Sequence, residues 1–295
     1  MRIGTRASAL ALAQARWVAE RLSAAGETVE IVEITTTGDR DRSAGDKSRW
    51  VSELERALIE RRIDIAVHSA KDLPTELPEG LELVAIPSRA DARDALCGAP
   101  SLAALGPGAR VGTSSVRRAA QLRSLREDLD VVELRGNVDT RLRKLAEGQA
   151  DALVLAVAGL QRLDRSLEIG GVLDELTPAA GQGALALEAR VDELDSARLA
   201  PVADPAATAC VTAERELVRA LDASCDTPVG AHARVLADGM LALVGWVGLP
   251  DGSEWLCDEV AGEPGAVGAQ CAARMLAAGA RDLLERAAEQ RGARA

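Results

Sequence analysis

The chain has 295 residues, of which 47% are apolar and 27% charged, a composition typical of a globular protein with two or three domains. Its net charge of −11 argues against nucleic acid or an anionic membrane as the main partner. Five scattered cysteines without a CxxC pair predict reduced thiols, and only two histidines argue against a metal site. No apolar run reaches the ~18 residues of a membrane span, and charges interrupt the apolar start of the chain. We therefore expect a cytoplasmic protein.

Short apolar strands alternate with amphipathic helices at the start of the chain. The pattern predicts strands over 1–5, 29–37 and 63–69 and helices over 8–26 and 50–62. The polar, glycine-containing segment 35–50 predicts a loop. Strands joined by helices in this way form a parallel sheet.

A second set of elements begins near residue 110. It predicts strands over 110–113, 130–136 and 150–159 and helices over 114–127 and 137–148. The segments IGTRASALALAQ and VGTSSVRRAAQ both run from a strand through Gly-Thr into a helix that opens with Ser or Thr. This echo predicts two similar α/β domains rather than one large sheet.

Two segments are interpreted as connections between these domains, over 85–96 and 177–190. After 204–207 the pattern changes, and DG and PDG turns separate three predicted antiparallel strands over 232–239, 240–252 and 254–265. A helix over about 265–288 closes the chain. We expect a first domain of residues 1–86 and 186–203, a second of 90–182 and a third of 205–295.

A basic region spans residues 110–144, with nine Arg or Lys against five Asp or Glu. Thr113, Ser114 and Ser115 open a helix there, and free backbone N–H groups at such a position favour an anion. Ser and Thr at a helix start are more often simple N-caps, and a run of charge is more often a solvated helix face. Arginines at the ends of parallel strands shift the balance towards a ligand that carries several carboxylates.

The predicted buried strand 63–69 leads into Ser69, Lys71 and Asp72. A carboxylate at the end of a central strand is well placed for acid–base work or for stabilising a cation. The alternative is an exposed Lys–Asp pair before a turn. His68 lies within the apolar run, which favours a core histidine over a catalytic one. Cys225 is isolated in LDASCDTPVG. Considered alone, it is more typical of a buried structural thiol.

Nine motifs in one order cover nearly the whole chain. They are IGTRASALAL, TTTGDRD, DIAVHSAKDLPTELPEGL, RDAL, VGTSSVRRAAQL, LRGNVDTRLRKL, AGLQRL, PAAGQGALALE and CDTPVGA. With these motifs the sequence resembles the porphobilinogen deaminase (hydroxymethylbilane synthase) family. The resemblance implies an α/β fold with two periplasmic-binding-protein-like (type II) domains with mainly parallel sheets, plus a small C-terminal α+β domain with a three-stranded antiparallel sheet.

The same resemblance implies a monomeric transferase of tetrapyrrole and heme biosynthesis, and the acidic net charge predicts no nucleic-acid partner. Such an enzyme condenses four porphobilinogen molecules, with loss of ammonia, onto a dipyrromethane cofactor, and then releases hydroxymethylbilane by hydrolysis. It implies that Cys225 holds the cofactor through a thioether and that Asp72 is catalytic. The other cofactor-binding residues implied are Ser69, Lys71, Thr113, Ser114, Ser115, Arg117, Arg118, Arg135 and Gly136. The substrate-binding residues implied are Arg6, Ser8, Arg141, Arg162 and Gln182.

Three positions depart from the family pattern. Ser48-Arg49-Trp50 replaces Gly-Leu-Phe, Ala9 replaces a common proline, and Ala223-Ser224 replaces Gly-Gly before the cysteine. Ala and Ser at 223–224 matter if the backbone there requires a positive φ. Two other functions remain open. A solute receptor would explain the arginines but needs neither Asp72 nor Cys225, and a nucleic-acid binder is disfavoured by the overall charge.

Overall fold

The computed structural model of the chain describes residues 1–34, 48–224 and 226–292. The first α/β unit contains a five-stranded sheet in the order β2-β1-β3-β10-β4. Its strands are β1 (Arg2–Arg6), β2 (Glu30–Ile34), β3 (Ile65–Ser69), β4 (Leu81–Ala85) and β10 (Leu185–Arg190). Strands β2 and β3 run parallel to β1, whereas β10 runs antiparallel to both of its neighbours, β3 and β4. The sheet is therefore mainly parallel, as the sequence predicts.

The helices of this unit are α1 (Ala9–Ala24), α2 (Ser48–Ile59) and the short α6 (Ser196–Leu199). Helix α1 begins where Ser8 accepts a hydrogen bond from the Ala11 amide, which satisfies one of the unpaired N–H groups of the first turn. Ala15, Val18 and Leu22 lie on one face of the helix and are fully buried against the sheet.

The second α/β unit repeats this arrangement in the order β7-β6-β8-β5-β9. Its strands are β5 (Asp94–Cys97), β6 (Arg110–Thr113), β7 (Asp130–Glu133), β8 (Ala152–Ala156) and β9 (Gly171–Leu173). Its helices are α3 (Val116–Leu125), α4 (Val138–Ala146) and α5 (Val157–Arg162). Here β5 is the antiparallel strand. In each unit, the strand that runs against its sheet is the first one after the chain has crossed from the other unit.

One predicted strand includes the start of a helix. The apolar run 150–159 predicts a single strand, but the strand ends at Ala156 and α5 begins at Val157. Both elements are buried, so the run of apolar residues gives no sign of where one becomes the other.

The third unit contains the predicted three-stranded antiparallel sheet, β11 (Val229–Val235), β12 (Leu241–Gly248) and β13 (Trp255–Gly262). Helix α7 (Pro205–Ala220) precedes the sheet, and α8 (Val267–Ala277) and α9 (Ala280–Gly292) follow it. The single helix predicted over 265–288 is wrong. Gly279 has φ +98, a left-handed conformation that ends one helix before the next begins.

The cores contain no Phe or Tyr, because the chain has none, and are built mainly from Leu, Val, Ile and Ala. In the third unit, Leu217 of α7, Leu243 of β12 and Met275 of α8 meet in one buried cluster. Across 1–34, 48–224 and 226–292, no helix is long and apolar enough to cross a membrane.

Candidate active site

A cleft opens at the edge of the first sheet where β1 and β3 end. It encloses about 460 Å³, including its open mouth, and its walls include Arg6, Ser8, Ser69 and Asp72. Arg6 is the last residue of β1, and Asp72 ends the single 3₁₀ turn Ala70–Asp72 that follows β3. The carboxyl ends of parallel strands share one edge of the sheet, so these side chains come together although they are far apart in sequence.

A smaller cavity of about 280 Å³, including its open mouth, lies between the two α/β units. Ser69 and Lys71 line it from the first unit, and Arg162 lines it from the second. Ser69 Oγ accepts a hydrogen bond from Gln14 Nε2 at 2.8 Å, which fixes the serine at the junction of the two spaces. Ser69 thus borders both the cleft of Asp72 and the cavity between the units.

Two largely buried guanidinium groups of the second unit lack a carboxylate partner within the described parts of the chain. Burial lowers the pKa of Arg162 to about 10, and its Nη2 donates to the Gly183 carbonyl at 2.6 Å. Burial, together with the like charge of Arg118, lowers the pKa of Arg141 to about 10, while the charge of Asp72 opposes this shift. Arg141 Nε is buried and has no hydrogen-bond partner in that same part of the structure. Desolvated cations of this kind are stabilised by an anionic ligand.

Arg117 and Arg118 are held by Asp94, a residue that no sequence pattern marks as functional. The Asp94 carboxylate is fully buried and accepts from Arg117 Nη2 at 2.8 Å and from Arg118 Nη2 at 2.7 Å. Burial by itself raises the pKa of Asp94, but the two guanidinium groups outweigh it and hold that pKa far below its usual range. Arg117 also donates to the Thr177 carbonyl at 2.6 Å. Both arginines are almost completely buried, and their contact with a cofactor stays a prediction.

Gln182 joins this ion cluster to the turn that carries Asp72. Its Nε2 donates to Asp94 at 2.7 Å and to the Ala92 carbonyl at 2.6 Å. Its Oε1 accepts from Lys71 Nζ at 3.2 Å and from Arg118 at 3.4 Å. The buried Gln182 side chain therefore connects Lys71 of the first unit to Asp94 and Arg118 of the second.

The helix start over Thr113, Ser114 and Ser115 uses its hydroxyl groups locally. Thr113 Oγ1 accepts from the Ser115 amide at 3.1 Å, and Ser115 Oγ caps α3 by accepting from the Arg118 amide at 3.4 Å. Ser114 is exposed. None of these three residues lines either of the two cavities, as far as the structure describes the cavity walls.

Arg135 and Gly136 follow β7, also away from the walls of the two cavities as far as the structure describes them. The half-exposed Arg135 donates to Glu133 at 2.7 Å. Gly136 has φ +134, and a Cβ at this position would lie 2.7 Å from Thr140 Cγ2. Only glycine fits this backbone.

A second buried ionisable cluster adjoins the cleft wall. His68, which lines the cleft, contacts Glu188 at 2.8 Å between Nε2 and Oε2, and both residues are buried. Glu55 of α2 belongs to the same cluster, since burial, reinforced by the charge of Glu188, raises the pKa of Glu55 to about 7. His68 is a core histidine, as its sequence setting favours, and it also lines the cleft.

Cys225 lies outside the described residues, as do positions 35–47. Ala223 and Ser224, which precede the cysteine, are described, and neither has a positive φ. Asp222 instead takes the left-handed conformation, with φ +52. Asp tolerates this region better than most residues, so the departures at 223 and 224 introduce no backbone strain of their own.

Family models match two long segments of the chain. The model described as "Porphobilinogen deaminase, dipyromethane cofactor binding domain" covers residues 1–198, and "Porphobilinogen deaminase, C-terminal domain" covers 208–277. The chain belongs to the porphobilinogen deaminase family. The resemblance seen in the sequence motifs is thereby confirmed.

Individual relatives agree with the family models over nearly the full length. The porphobilinogen deaminase of Deinococcus radiodurans is 50% identical over 96% of this chain and 97% of its own. That of Thermus thermophilus is 48% identical over the same shares. Among solved structures, a nutrient-binding protein from Burkholderia cenocepacia bound to methionine is 13% identical, with a TM-score of 0.43 over 68% of this chain and 90% of its own.

The residues present suit a dipyrromethane. Each of its pyrrole rings carries an acetate and a propionate, and each has a ring N–H. The buried Arg141, with an unpaired Nε in the described structure, offers a donor for a carboxylate. Asp72, whose charge acts on Arg141 by raising its pKa, offers an acceptor for a pyrrole N–H. This combination of buried cations and one carboxylate fits the chemistry of the group.

Proposed function

We propose that the protein is a transferase that joins four porphobilinogen molecules head to tail, releases ammonia at each step, and frees hydroxymethylbilane by hydrolysis. The observation that carries this proposal is the position of Arg141 and Arg162, which are desolvated cations without a carboxylate partner in the described structure, beside the cleft of Asp72. A substrate that carries an acetate and a propionate supplies the missing anions. Its ring N–H requires an acceptor, and we assign that role to Asp72.

We assign the substrate carboxylates to Arg6, Arg141 and Arg162, with Ser8 and Gln182 as further polar contacts. Guanidinium groups bind carboxylates through charge-assisted, often bidentate hydrogen bonds. Loss of ammonia from porphobilinogen leaves a cationic ring with an exocyclic methylene. Asp72 stabilises this cation by accepting the ring N–H, and a carboxylate that already points at the developing charge needs little reorganisation.

We propose Cys225 as the residue that holds the dipyrromethane through a thioether, because a thiolate is a strong nucleophile towards a cationic methylene carbon. When bound, the dipyrromethane supplies the free pyrrole carbon to which the first substrate unit is joined. The residues that would hold it are Ser69, Lys71, Thr113, Ser114, Ser115, Arg117, Arg118, Arg135 and Gly136. Arg117 and Arg118 would do so by the guanidinium N–H groups that neither Asp94 nor the backbone carbonyls occupy.

Intact-protein mass spectrometry tests the proposal directly. We expect an adduct with the mass of two pyrrole units on the purified protein and its loss in Cys225→Ser. Cys257→Ser, which alters a different cysteine whose thiol is exposed in the described structure, serves as the matched control and should keep the adduct. An unmodified protein that consumes porphobilinogen at full rate would contradict the assignment.

The proposal extends to the setting of the protein. We propose that it acts in the cytoplasm in tetrapyrrole and heme biosynthesis, as a monomer, without a nucleic-acid partner. Size-exclusion chromatography with light scattering at the mass of one 30.8 kDa chain would support the monomer.

A further inference from the structure

Helix α7 of the third unit presents one face to the segment around Asp72. Ala207, Val211, Arg215 and Arg219 follow one another at four-residue spacing, so they form one stripe along the helix. Ala207 and Val211 share a buried apolar cluster with Ala70 and Leu73, the residues that bracket Lys71 and Asp72.

The charged half of the stripe continues along the chain beyond Asp72. Arg215, which is 8% exposed, donates from Nη2 to the Pro74 carbonyl at 2.7 Å and to the Thr75 carbonyl at 3.1 Å. Arg219 Nη2 donates to the same Thr75 carbonyl at 3.0 Å. These backbone oxygens belong to the second and third residues after Asp72, so the guanidinium groups fix the path by which the chain leaves the site.

This arrangement places two cations side by side. Burial and the like charge of Arg219 lower the pKa of Arg215, and the charge of Glu188 only partly opposes this. Neither arginine forms an ion pair with a carboxylate in the regions that the structure describes. A buried cation is costly to desolvate, and neither arginine gains a carboxylate among the described residues to offset that cost. Two cations that converge on one carbonyl instead restrain the backbone at that point.

The other side of Asp72 is also fixed. His68, four residues before Asp72, is anchored in the sheet by Glu188 at 2.8 Å. The segment from His68 to Thr75 is therefore held at its start by the sheet and at its end by α7, with Asp72 between the two anchors.

We propose that Arg215, assisted by Arg219, is a positioning residue that sets the orientation of the Asp72 carboxylate through the Pro74 and Thr75 carbonyls. This inference rests on the proposed catalytic role of Asp72. If the Asp72 carboxylate is displaced by a fraction of a hydrogen-bond length, it stabilises the cation formed during turnover less well. The arginines that bind the substrate carboxylates are unaffected. The effect should therefore fall on kcat and leave KM nearly unchanged.

The test compares Arg215→Met with Arg215→Lys in the cofactor-loaded protein. We expect kcat to fall about 10- to 100-fold in Arg215→Met, with partial recovery in Arg215→Lys, because an ammonium group can still donate to a carbonyl. Arg274→Met, which breaks an exposed ion pair with Asp258 on the far helix α8, is the matched control and should retain the wild-type kcat. If Arg215→Met does not fold, the exposed Arg219→Met replaces it, with a smaller loss of kcat expected.

A double-mutant cycle with Asp72→Asn separates this inference from the proposed function. If Asp72→Asn turns over porphobilinogen at the wild-type rate, the proposed function itself fails. If Asp72→Asn is impaired and Arg215→Met has no further effect in that background, Arg215 acts through Asp72 and the inference stands. It is overturned if Arg215→Met lowers kcat by the same factor in both backgrounds, or if the folded Arg215 and Arg219 variants keep full kcat.

Discussion

Glu55→Gln should change how stability depends on pH. Burial, together with the charge of Glu188, raises the pKa of Glu55 from 4.5 to about 7 in the folded protein. Between these two values the folded chain keeps a proton that the unfolded chain releases, so the free energy of unfolding falls as the pH rises. The difference in pKa corresponds to about 3 kcal/mol, lost progressively from pH 4.5 to just above pH 7.

The amide side chain of the Glu55→Gln variant has no proton to lose, so this loss should disappear. Calorimetric unfolding midpoints at pH 5, 6, 7 and 8 would show it as a gap between the variant and the wild type that widens in favour of the variant as the pH rises. Glu60→Gln, which removes an exposed carboxylate near the end of the same helix, should follow the wild type at every pH. A constant gap between Glu55→Gln and the wild type across this range would refute the reasoning, since it would mean that Glu55 is already ionised at pH 5.

Three further outcomes follow from the buried charges and the backbone. Asp94→Asn leaves two buried guanidinium groups without their counter-ion and should cost about 3–5 kcal/mol in chemical denaturation, whereas a near-neutral effect would mean that the pair is solvated. Arg141→Leu should weaken porphobilinogen binding in calorimetric titration by about 10- to 100-fold without lowering the free energy of unfolding, because it removes a desolvated cation; a loss of stability with unchanged binding would assign Arg141 to the fold instead. Gly136→Ala should lower the free energy of unfolding by about 1–3 kcal/mol, because alanine is strained at φ +134. An unchanged unfolding midpoint would show that the turn relaxes easily.

Local patterns predicted the repeating part of the fold well. The strand–Gly–Thr–helix echo became two sheets of the same strand order, and Ser8 and Ser115 cap the first helix of each unit. Strands β5 and β10 were not predicted as separate antiparallel members of the sheets. Several of their pairing partners are distant in sequence, as β3 and β4 are from β10. The periodicity within a short window therefore cannot indicate which strands they join.

The candidate site shows the same division. The position of Asp72 at a strand end predicts its role and the family resemblance implies that of Arg6, and the structure places both on one cleft. Asp94 was missed because a lone aspartate in ARDAL carries no local mark of burial. Its two partners, Arg117 and Arg118, were interpreted only as ligand-binding residues, although much of their hydrogen-bonding capacity goes to Asp94 and to backbone carbonyls.

Strand β10 also sets an order in which the chain can fold while it is being synthesised. This strand fills the gap between β3 and β4, yet it leaves the ribosome about 100 residues after β4. The second unit, whose strands all lie between Asp94 and Leu173, is by then complete in sequence. The ribosome adds about 5–20 residues per second, so β3, which leads into the segment that carries Asp72, lacks a neighbouring strand until β10 has been synthesised. A nascent chain arrested before residue 185 should expose an unpaired edge of β3, a site where a chaperone can bind.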